Sequence, residues 1–493
     1  MAHALGQRIT DVLGLAPDSP AIEYEGHWHS WRAVGDHASH IASVLDGDGR
    51  EPGQVGVLLR NTPAHVATLL GILTAGATLV VINPARGDDR TRTDVVALDL
   101  PMIVGTADDV ATLVDPETTT VVTISDLGEP LTPSRCAATP SASARPGVAV
   151  RMLTSGTTGP PKRIDLTYDM LARSVIGRGA ATAPTAPRQG VAIVNAPLVH
   201  IGGVYRVLQC VAEARPFVLL PRFELTTWIA AVRTHHPKAV SLVPAALRTV
   251  LHSDLTRADL AGIRAVTSGT APLSADDADA FTEKFGIPVL TSYAATEFGG
   301  GVAGWTLADH HRHWKDKRGS VGRASLGARL RVVDERGTEL EPDQPGLLEV
   351  IPGQLGPGSD WIRTTDEARI DADGFLWILG RADQAIIRGG FKVMPDDVRT
   401  ALESHPAVRG AAVVAREDDR LGQTPVAMVE LHGAATADDL TTFLRTRLAP
   451  YEIPTAVAVV DAIPRTPSGK ADLAAVSRHF ADATAVSRGH RAH

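Results

Sequence analysis

Leu153-Thr-Ser-Gly-Thr-Thr-Gly-Pro-Pro-Lys162 is the stretch on which the reading of this chain turns. Glycines at 156 and 159 let backbone N–H groups approach phosphate oxygens closely. Thr154, Ser155, Thr157 and Thr158 add short hydroxyl donors, and Lys162 adds a compact positive charge. Lysine is scarce here, 7 residues against 41 arginines, so its placement at the end of this run carries weight. The run suits a loop wrapped around a polyphosphate. It is not a P-loop, which needs glycine directly before the lysine and Ser or Thr after it. Here Pro161 precedes Lys162 and Arg163 follows it.

Outward from this run, helical periods alternate with short β-branched runs. Gln54–Leu59, Pro101–Val104, Thr120–Thr123 and Val191–Val194 read as strands between helices, which predicts α/β layers with mostly parallel sheets. The longest apolar segment, Val66 to Ile82, is broken by threonine and glycine and is shorter than a bilayer span. It reads as a buried helix followed by a buried strand, Thr78–Ile82, ending at Asn83-Pro84. Leu330–Val333, Leu347–Val350 and Phe375–Ile378 predict a small antiparallel, barrel-like β unit. After Gly380-Arg-Ala-Asp383 comes a compact α+β unit. In it, a helix is expected over Asp396–Ser404, strands over Gly410–Val414 and Val426–Glu430, and a second helix over Thr436–Leu448, capped by Thr436. Ser487 to His493 reads as a frayed tail.

The 493 residues call for at least two domains. A net charge of −8 argues against nucleic-acid or anionic-membrane partners. Cys136 and Cys210 supply neither a disulfide framework nor metal-site spacing. Both are expected to be buried and reduced in a cytoplasmic protein. No basic start leads into an apolar stretch, so no signal peptide is expected. The arginine and alanine bias points to a high-GC bacterial source.

Thr154 to Lys162 resembles the phosphate-loop signature of the adenylate-forming superfamily, which includes acyl-CoA synthetases, peptide-synthetase adenylation domains and beetle luciferases. Further motifs follow in family order as far as Lys470, so the resemblance covers nearly the whole chain. It implies an α/β fold with a large N-terminal domain over residues 1–380, a hinge at 381–383 and a small mobile α+β domain over 384–493.

The resemblance also assigns the site. Thr154, Ser155, Gly156, Thr157, Thr158, Gly159 and Lys162 hold phosphates. Ser268, Gly269, Thr270, Ala271 and Pro272 form the adenine wall, and Tyr293 stacks the purine. Thr296 donates to the α-phosphate, and Glu297 supplies a hard oxygen ligand for Mg²⁺. Asp366 and Arg381 hold the ribose, as acidic residues do in other nucleotide folds. Lys470, in Pro464-Arg-Thr-Pro-Ser-Gly-Lys470, is the catalytic lysine that offsets repulsion between a carboxylate and the α-phosphate. Asp383 is the hinge residue, and Gly389 and Gly390 line a pantetheine tunnel. Three positions depart from the family pattern, which prefers glycine at each: Arg163, Ala294 and Thr365.

Asn195-Ala-Pro-Leu-Val-His-Ile-Gly-Gly203 resembles the acyl-pocket segment, with His200, Gly202, Gly203, Gly299, Gly300 and Gly301 as its lining. No carboxylate occurs between Asn195 and Cys210 to hold a substrate ammonium. The expected acid therefore lacks an α-amino group, and the small residues leave room for a bulky hydrophobic or cyclic one. The expected enzyme is an ATP- and Mg²⁺-dependent acid–thiol ligase with CoA as thiol substrate. The alternative is a stand-alone adenylating enzyme that loads a carrier protein; no fused carrier is expected, since the sequence ends soon after Lys470. A catalytically silent nucleotide binder is a third reading, opposed by the presence of Glu297, Asp366 and Lys470. Gly299-Gly-Gly-Val-Ala-Gly304 also matches G-x-G-x-x-G, but a dinucleotide site needs it to follow a strand and open a helix.

Overall fold

The computed structural model describes residues 3–46, 53–134, 145–154, 162–177, 182–388, 391–418, 420–466 and 469–489. The apolar run divides into the helix Pro63–Thr74 and the strand Thr78–Ile82. Thr62 caps the helix by accepting from the His65 N–H, and Pro63 occupies its first turn, where a missing donor costs nothing. Eleven of its twelve residues are buried, which is why it lacks an amphipathic stripe. Gly71 lets the helix Trp31–Asp46 pack directly on it: a Cβ there would lie 2.5 Å from the Ala38 carbonyl oxygen.

This helix packs beside a seven-stranded sheet. Thr120–Thr123, Met102–Gly105, Gln54–Leu58, Thr78–Ile82 and Val148–Thr154 run parallel, with Thr132–Ser134 and Lys162–Thr167 antiparallel at the two edges. A second sheet pairs Ala192–Val194 and Phe217–Leu219 in parallel with Pro20–Tyr24. A third sets Ala239–Ser241, Ala265–Ser268 and Val289–Ala295 parallel, then adds Gly300–Gly304 antiparallel. The glycine run is therefore itself mostly a strand, and it does not open a helix as a dinucleotide site requires.

The expected antiparallel unit has a fourth strand. Ile362–Ile370 lies between Gly346–Ile351 and Leu376–Arg381, with Arg329–Val333 at the outer edge. Glu349 accepts from Arg331 at 2.7 Å and from Arg363 at 2.8 Å, tying three of these strands together on one face.

The last sheet draws only on residues 386–460. Val408–Asp418 and Gly422–Leu431 form a long hairpin, longer than the apolar runs alone indicated, because polar residues continue the ladder to Asp418↔Gly422. The helices Pro395–Glu403 and Ala437–Leu444 share one core with this sheet, and Leu473–Gly489 contributes Val476 and Phe480 to another. Thr436 and Asp439 make a reciprocal capping box. The second helix stops at Leu444, short of the expected Leu448, although Leu448 still packs on the core. Of the expected tail, Ser487 to Gly489 continue the helix, and residues 490–493 lie outside the described residues. Among the described residues, no helix is long and apolar enough to cross a membrane.

Candidate active site

An antiparallel pair of strands, Val148–Thr154 and Lys162–Thr167, brackets the phosphate-loop run at one edge of the seven-stranded sheet. Thr154 and Lys162 close its ladder as a register pair, and Ser155, Gly156, Thr157, Thr158 and Gly159 lie outside the described residues. Lys162 is exposed. The neighbouring Arg163 is nearly covered. It donates to the Val81 carbonyl at 2.9 Å and to Asp94 at 2.5 Å, pinning the hairpin to the adjacent strand and to the helix Asp88–Leu98. The family departure at this position is thus an anchor.

Across from it, Ser268 ends a parallel strand, at the edge of an α/β sheet where ligands bind. At Gly269 a Cβ would lie 2.7 Å from Ser292 Oγ, and Thr270 holds a left-handed φ of 71°, so the chain turns sharply into Ala271-Pro272. Ser268 Oγ is buried without a partner among the described residues. Tyr293 and Thr296-Glu297 follow on the next strand and its 3₁₀ turn. Phe298 is buried beneath that turn, while Glu297 points outward and makes no ion pair among the described residues.

Asp366 belongs to the strand Ile362–Ile370. It lies mid-strand, because β-branched Ile362, Thr364 and Thr365 and then Ala368 to Ile370 keep the extended ladder going past it. It faces Arg381 across the sheet and stands next to the register shift at Glu367/Ala368. The Tyr293 hydroxyl donates to Asp366 Oδ2. Burial pushes the Asp366 carboxyl above the usual carboxylate range, and the Tyr293 hydrogen bond and Arg381 pull it back. Burial, then the Asp366 charge, raises the Tyr293 phenol well above its ordinary value. Arg381 Nη2 donates to Thr365 Oγ1 at 2.6 Å and to Asp383 Oδ2 at 2.7 Å, so the second family departure engages the expected ribose arginine and hinge aspartate.

Lys470 reaches this cluster from the C-terminal unit. Thr466 N donates to the Lys470 carbonyl at 2.7 Å, Gly469 N donates to the Thr466 carbonyl at 2.8 Å, and Gly469 takes a φ of 80°. Lys470 keeps contact with solvent. The protein around it nevertheless lowers its pKa from 10.5, chiefly by desolvation. The positive charge of Arg381 adds to the effect, while Glu297 and Asp366 oppose it. His200 also senses this ammonium: burial first, and Lys470 second, drive its imidazole down to about 4. It is neutral at physiological pH.

The segment expected to line the acyl pocket is fixed by a residue the motifs did not single out. Asn61 donates to the carbonyls of Ala196 at 3.0 Å and Leu220 at 3.1 Å, and it accepts from Leu198 N at 2.8 Å. Its signal in the sequence is only a polar residue, Asn61, after a buried strand. His200 Nε2 is buried without a partner among the described residues. Gly202 faces open space. Gly203 does not line a cavity: a Cβ there would lie 2.2 Å from the Pro197 carbonyl oxygen, so its smallness serves packing. Gly299 and Gly300 take positive φ, and Met170 Cε fills the space beside Gly299 at 2.8 Å from a would-be Cβ; only Gly301 of the three stands clear of close neighbours. Ser174 and Gln354 hold this segment through the carbonyls of Gly299 at 2.9 Å and Gly301 at 2.7 Å. Gly389 and Gly390 lie outside the described residues. Cys210 is buried, and burial pushes its thiol up to about 11, as expected of an inert core cysteine.

A lysine, two carboxylates, an arginine and a neutral histidine thus lie within electrostatic reach of one another, an arrangement suited to an anionic ligand. A family model described as AMP-binding enzyme matches residues 11–355, and one described as AMP-binding enzyme C-terminal domain matches residues 397–470. The chain belongs to this adenylate-forming family and is an AMP-forming acid–thiol ligase of the acyl-CoA synthetase type. It is 29% identical over 444 residues to 4-coumarate–CoA ligase-like 5 of Oryza sativa subsp. japonica, covering 86% of this chain and 79% of that one. It is 30% identical over 339 residues to the 2-succinylbenzoate–CoA ligase of Bacillus subtilis, covering 65% and 67%. In fold it matches ATP-bound MatB from Rhodopseudomonas palustris with a TM-score of 0.81 over 97% of this chain and 99% of the other, at 24% identity.

Proposed function

We propose that this enzyme activates a bulky aromatic or cyclic carboxylic acid without an α-amino group and passes the acyl group to CoA. The observation that carries the reading is the nearness of Lys470, from the C-terminal unit, to Glu297, Asp366 and His200 of the large one and to Arg381 at the hinge. In the first step a carboxylate oxygen bonds to the α-phosphorus of ATP, and the bond to pyrophosphate breaks. Lys470, held as a cation, offsets the repulsion between the two anions and the charge that develops between them. Thr296 donates to the α-phosphate. Asp366 and Arg381 take the ribose hydroxyls, Tyr293 covers the purine against the Ser268–Pro272 turn, and the Thr154–Lys162 loop holds the leaving phosphates.

Glu297 fits a Mg²⁺ site: it is an outward carboxylate with no ion pair among the described residues, and Mg²⁺ characteristically takes one or two carboxylates plus phosphate oxygens. The ion would neutralise charge on the phosphates. Neutral His200 and Gly202 border the acid and offer no charge to an ammonium. In the second step a thiol sulfur bonds to the acyl carbon, AMP leaves with the bonding electrons, and the thiol proton passes to solvent. The residues 1–380 and 384–493 act as two domains, with rotation at Asp383 exchanging Lys470 for the Gly389-Gly390 loop.

Incubation with ATP, Mg²⁺, CoA and a panel containing 4-coumarate, 2-succinylbenzoate and anthranilate, followed by mass spectrometry, tests this. An aromatic acyl-CoA is expected. Accumulation of acyl-adenylate without acyl-CoA would transfer the acceptor role to a carrier-protein thiol. Turnover of an α-amino acid instead would overturn the substrate reading.

A further inference from the structure

The helix Pro244–Leu251 is the seat on which the C-terminal unit rests. At its N-terminus, Val243 Cγ2 is 3.8 Å from the Cβ position of Gly469, the residue before Lys470. Five residues further, about 7.5 Å along the axis at 1.5 Å per residue, Arg248 Nη2 donates to Glu403 Oε1 at 2.8 Å. Just past the C-terminus His252 stacks on His432, ring centroids 4.3 Å apart. Gly469, Glu403 and His432 all belong to the C-terminal unit, so one helix carries its contacts from end to end.

The Arg248–Glu403 pair is buried, with side chains 10% and 4% exposed. Each ion also has a second partner on its own side. Arg248 Nε lies 3.2 Å from Asp277 Oδ2 on the helix Ala275–Phe285, in ion-pair range although out of line for a hydrogen bond. Glu403 Oε2 accepts from Arg399 Nη1 at 2.6 Å, and Arg399 Nε donates to Asp396 Oδ1 at 3.0 Å. If the pair parts, Arg248 keeps Asp277 and Glu403 keeps Arg399. Neither charge is stranded, and a stranded charge is what makes breaking a buried ion pair so costly. Burial raises the Asp277 carboxyl and the Glu403 charge raises it further, so withdrawal of Glu403 favours an ionised Asp277 that holds Arg248.

We propose that Arg248 and Glu403 form a reversible latch that positions the C-terminal unit, and Lys470 with it, for acyl-adenylate formation, and that this pair opens before thioester formation. The proposal rests on the reading of Lys470 given above. Both are positioning residues: their partners are Asp277, Arg399 and the Ala411 N–H, not the residues around Lys470.

The test separates the two half-reactions in the full-length enzyme. Arg248→Gln and Glu403→Gln are expected to slow pyrophosphate release by about two- to thirty-fold, the range of a 0.5–2 kcal/mol coupling. The KM for ATP should stay unchanged, because the phosphate hairpin and Asp366 are untouched. Thioester formation from pre-made acyl-adenylate and CoA should hold or rise. Arg248→Lys should restore most of the first step, and the double variant should be no slower than either single one. Equal loss in both half-reactions, or loss in neither, overturns the latch. A readout independent of turnover accompanies this: spin labels at Glu335→Cys and Asp438→Cys, both exposed positions, in a Cys136→Ser/Cys210→Ala background. Glu403→Gln should broaden the distance distribution, and an unchanged narrow distribution overturns the proposal. If the unsubstituted enzyme forms no acyl-adenylate with any probe acid, the functional reading fails, and the label distances alone decide the latch.

Discussion

The two lysines that we assign to the nucleotide stand on different supports. Lys162 grows out of a strand in the seven-stranded sheet, and Arg163 beside it is tied to Val81 and Asp94 within the same layer. Lys470 hangs from a turn of the C-terminal unit and reaches Glu297, Asp366 and Arg381 only because that unit rests on the helix Pro244–Leu251. The first cation is placed by local folding and the second by the docking of one unit on another. A cation of the first kind belongs to binding, and one of the second kind can be withdrawn between steps.

The largest effect should come from the docked lysine. Lys470→Ala is expected to slow acyl-adenylate formation by roughly 10²–10³, the loss typical of a transition-state charge partner. Thioester formation from pre-made acyl-adenylate should survive. Lys162→Ala should act mainly on the KM for ATP. The comparison collapses if Lys470→Ala damages both half-reactions alike. A pH profile sharpens it. Lys470 works as a cation and its pKa is lowered from 10.5, so its charge is lost as pH rises through that lowered value. The alkaline limb of pyrophosphate release should therefore fall below pH 10.5, and Lys470→Arg should move it upward. His200, driven down to about 4, should contribute no limb near neutrality.

What was legible in the sequence follows the same division. The buried helix and the strand Thr78–Ile82 announce themselves through unbroken hydrophobicity, and Thr436 through its capping pattern. The order of the motifs from Thr154 to Lys470 pointed to the family. Hidden were the interactions that join distant segments: Asn61 to Leu198, Ser174 to Gly299, Arg248 to Glu403. Each is a polar side chain of ordinary type, and nothing in its neighbours tells which backbone group or carboxylate it will meet more than a hundred residues away. Small size was also ambiguous. Gly202 and Gly203 look alike in sequence, yet one faces open space and the other is pressed against Pro197.

Arg163→Ala addresses the locally placed lysine, with an intermediate effect. It removes charge-assisted hydrogen bonds of the kind worth about 1.5–3 kcal/mol each and leaves Asp94 without this partner at a part-buried site. The expected outcome is a several-fold rise in the KM for ATP with little change in the second half-reaction, together with a lower thermal midpoint. Arg163→Gly, which restores the residue the family prefers, should do the same. If either variant impaired the second half-reaction instead, the hairpin would not be an independent, locally fixed support.

The smallest effect is expected at Tyr293, where the two supports meet. Its hydroxyl donates to Asp366, whose carboxyl burial already raises. Tyr293→Phe keeps the ring that covers the purine and removes only that donor. The donor favours the carboxylate, so its loss moves the Asp366 pKa further up. Asp366 must be ionised to accept from ribose hydroxyls, so AMP affinity should begin to fall at a higher pH in the variant as the solution is acidified. The difference between the two proteins should therefore widen as the pH falls and narrow as it rises. Calorimetric titration of AMP across the acidic range reads this directly. A variant whose acid limb stayed in place would show that the limb belongs to a group other than Asp366, and the ribose assignment would have to move with it.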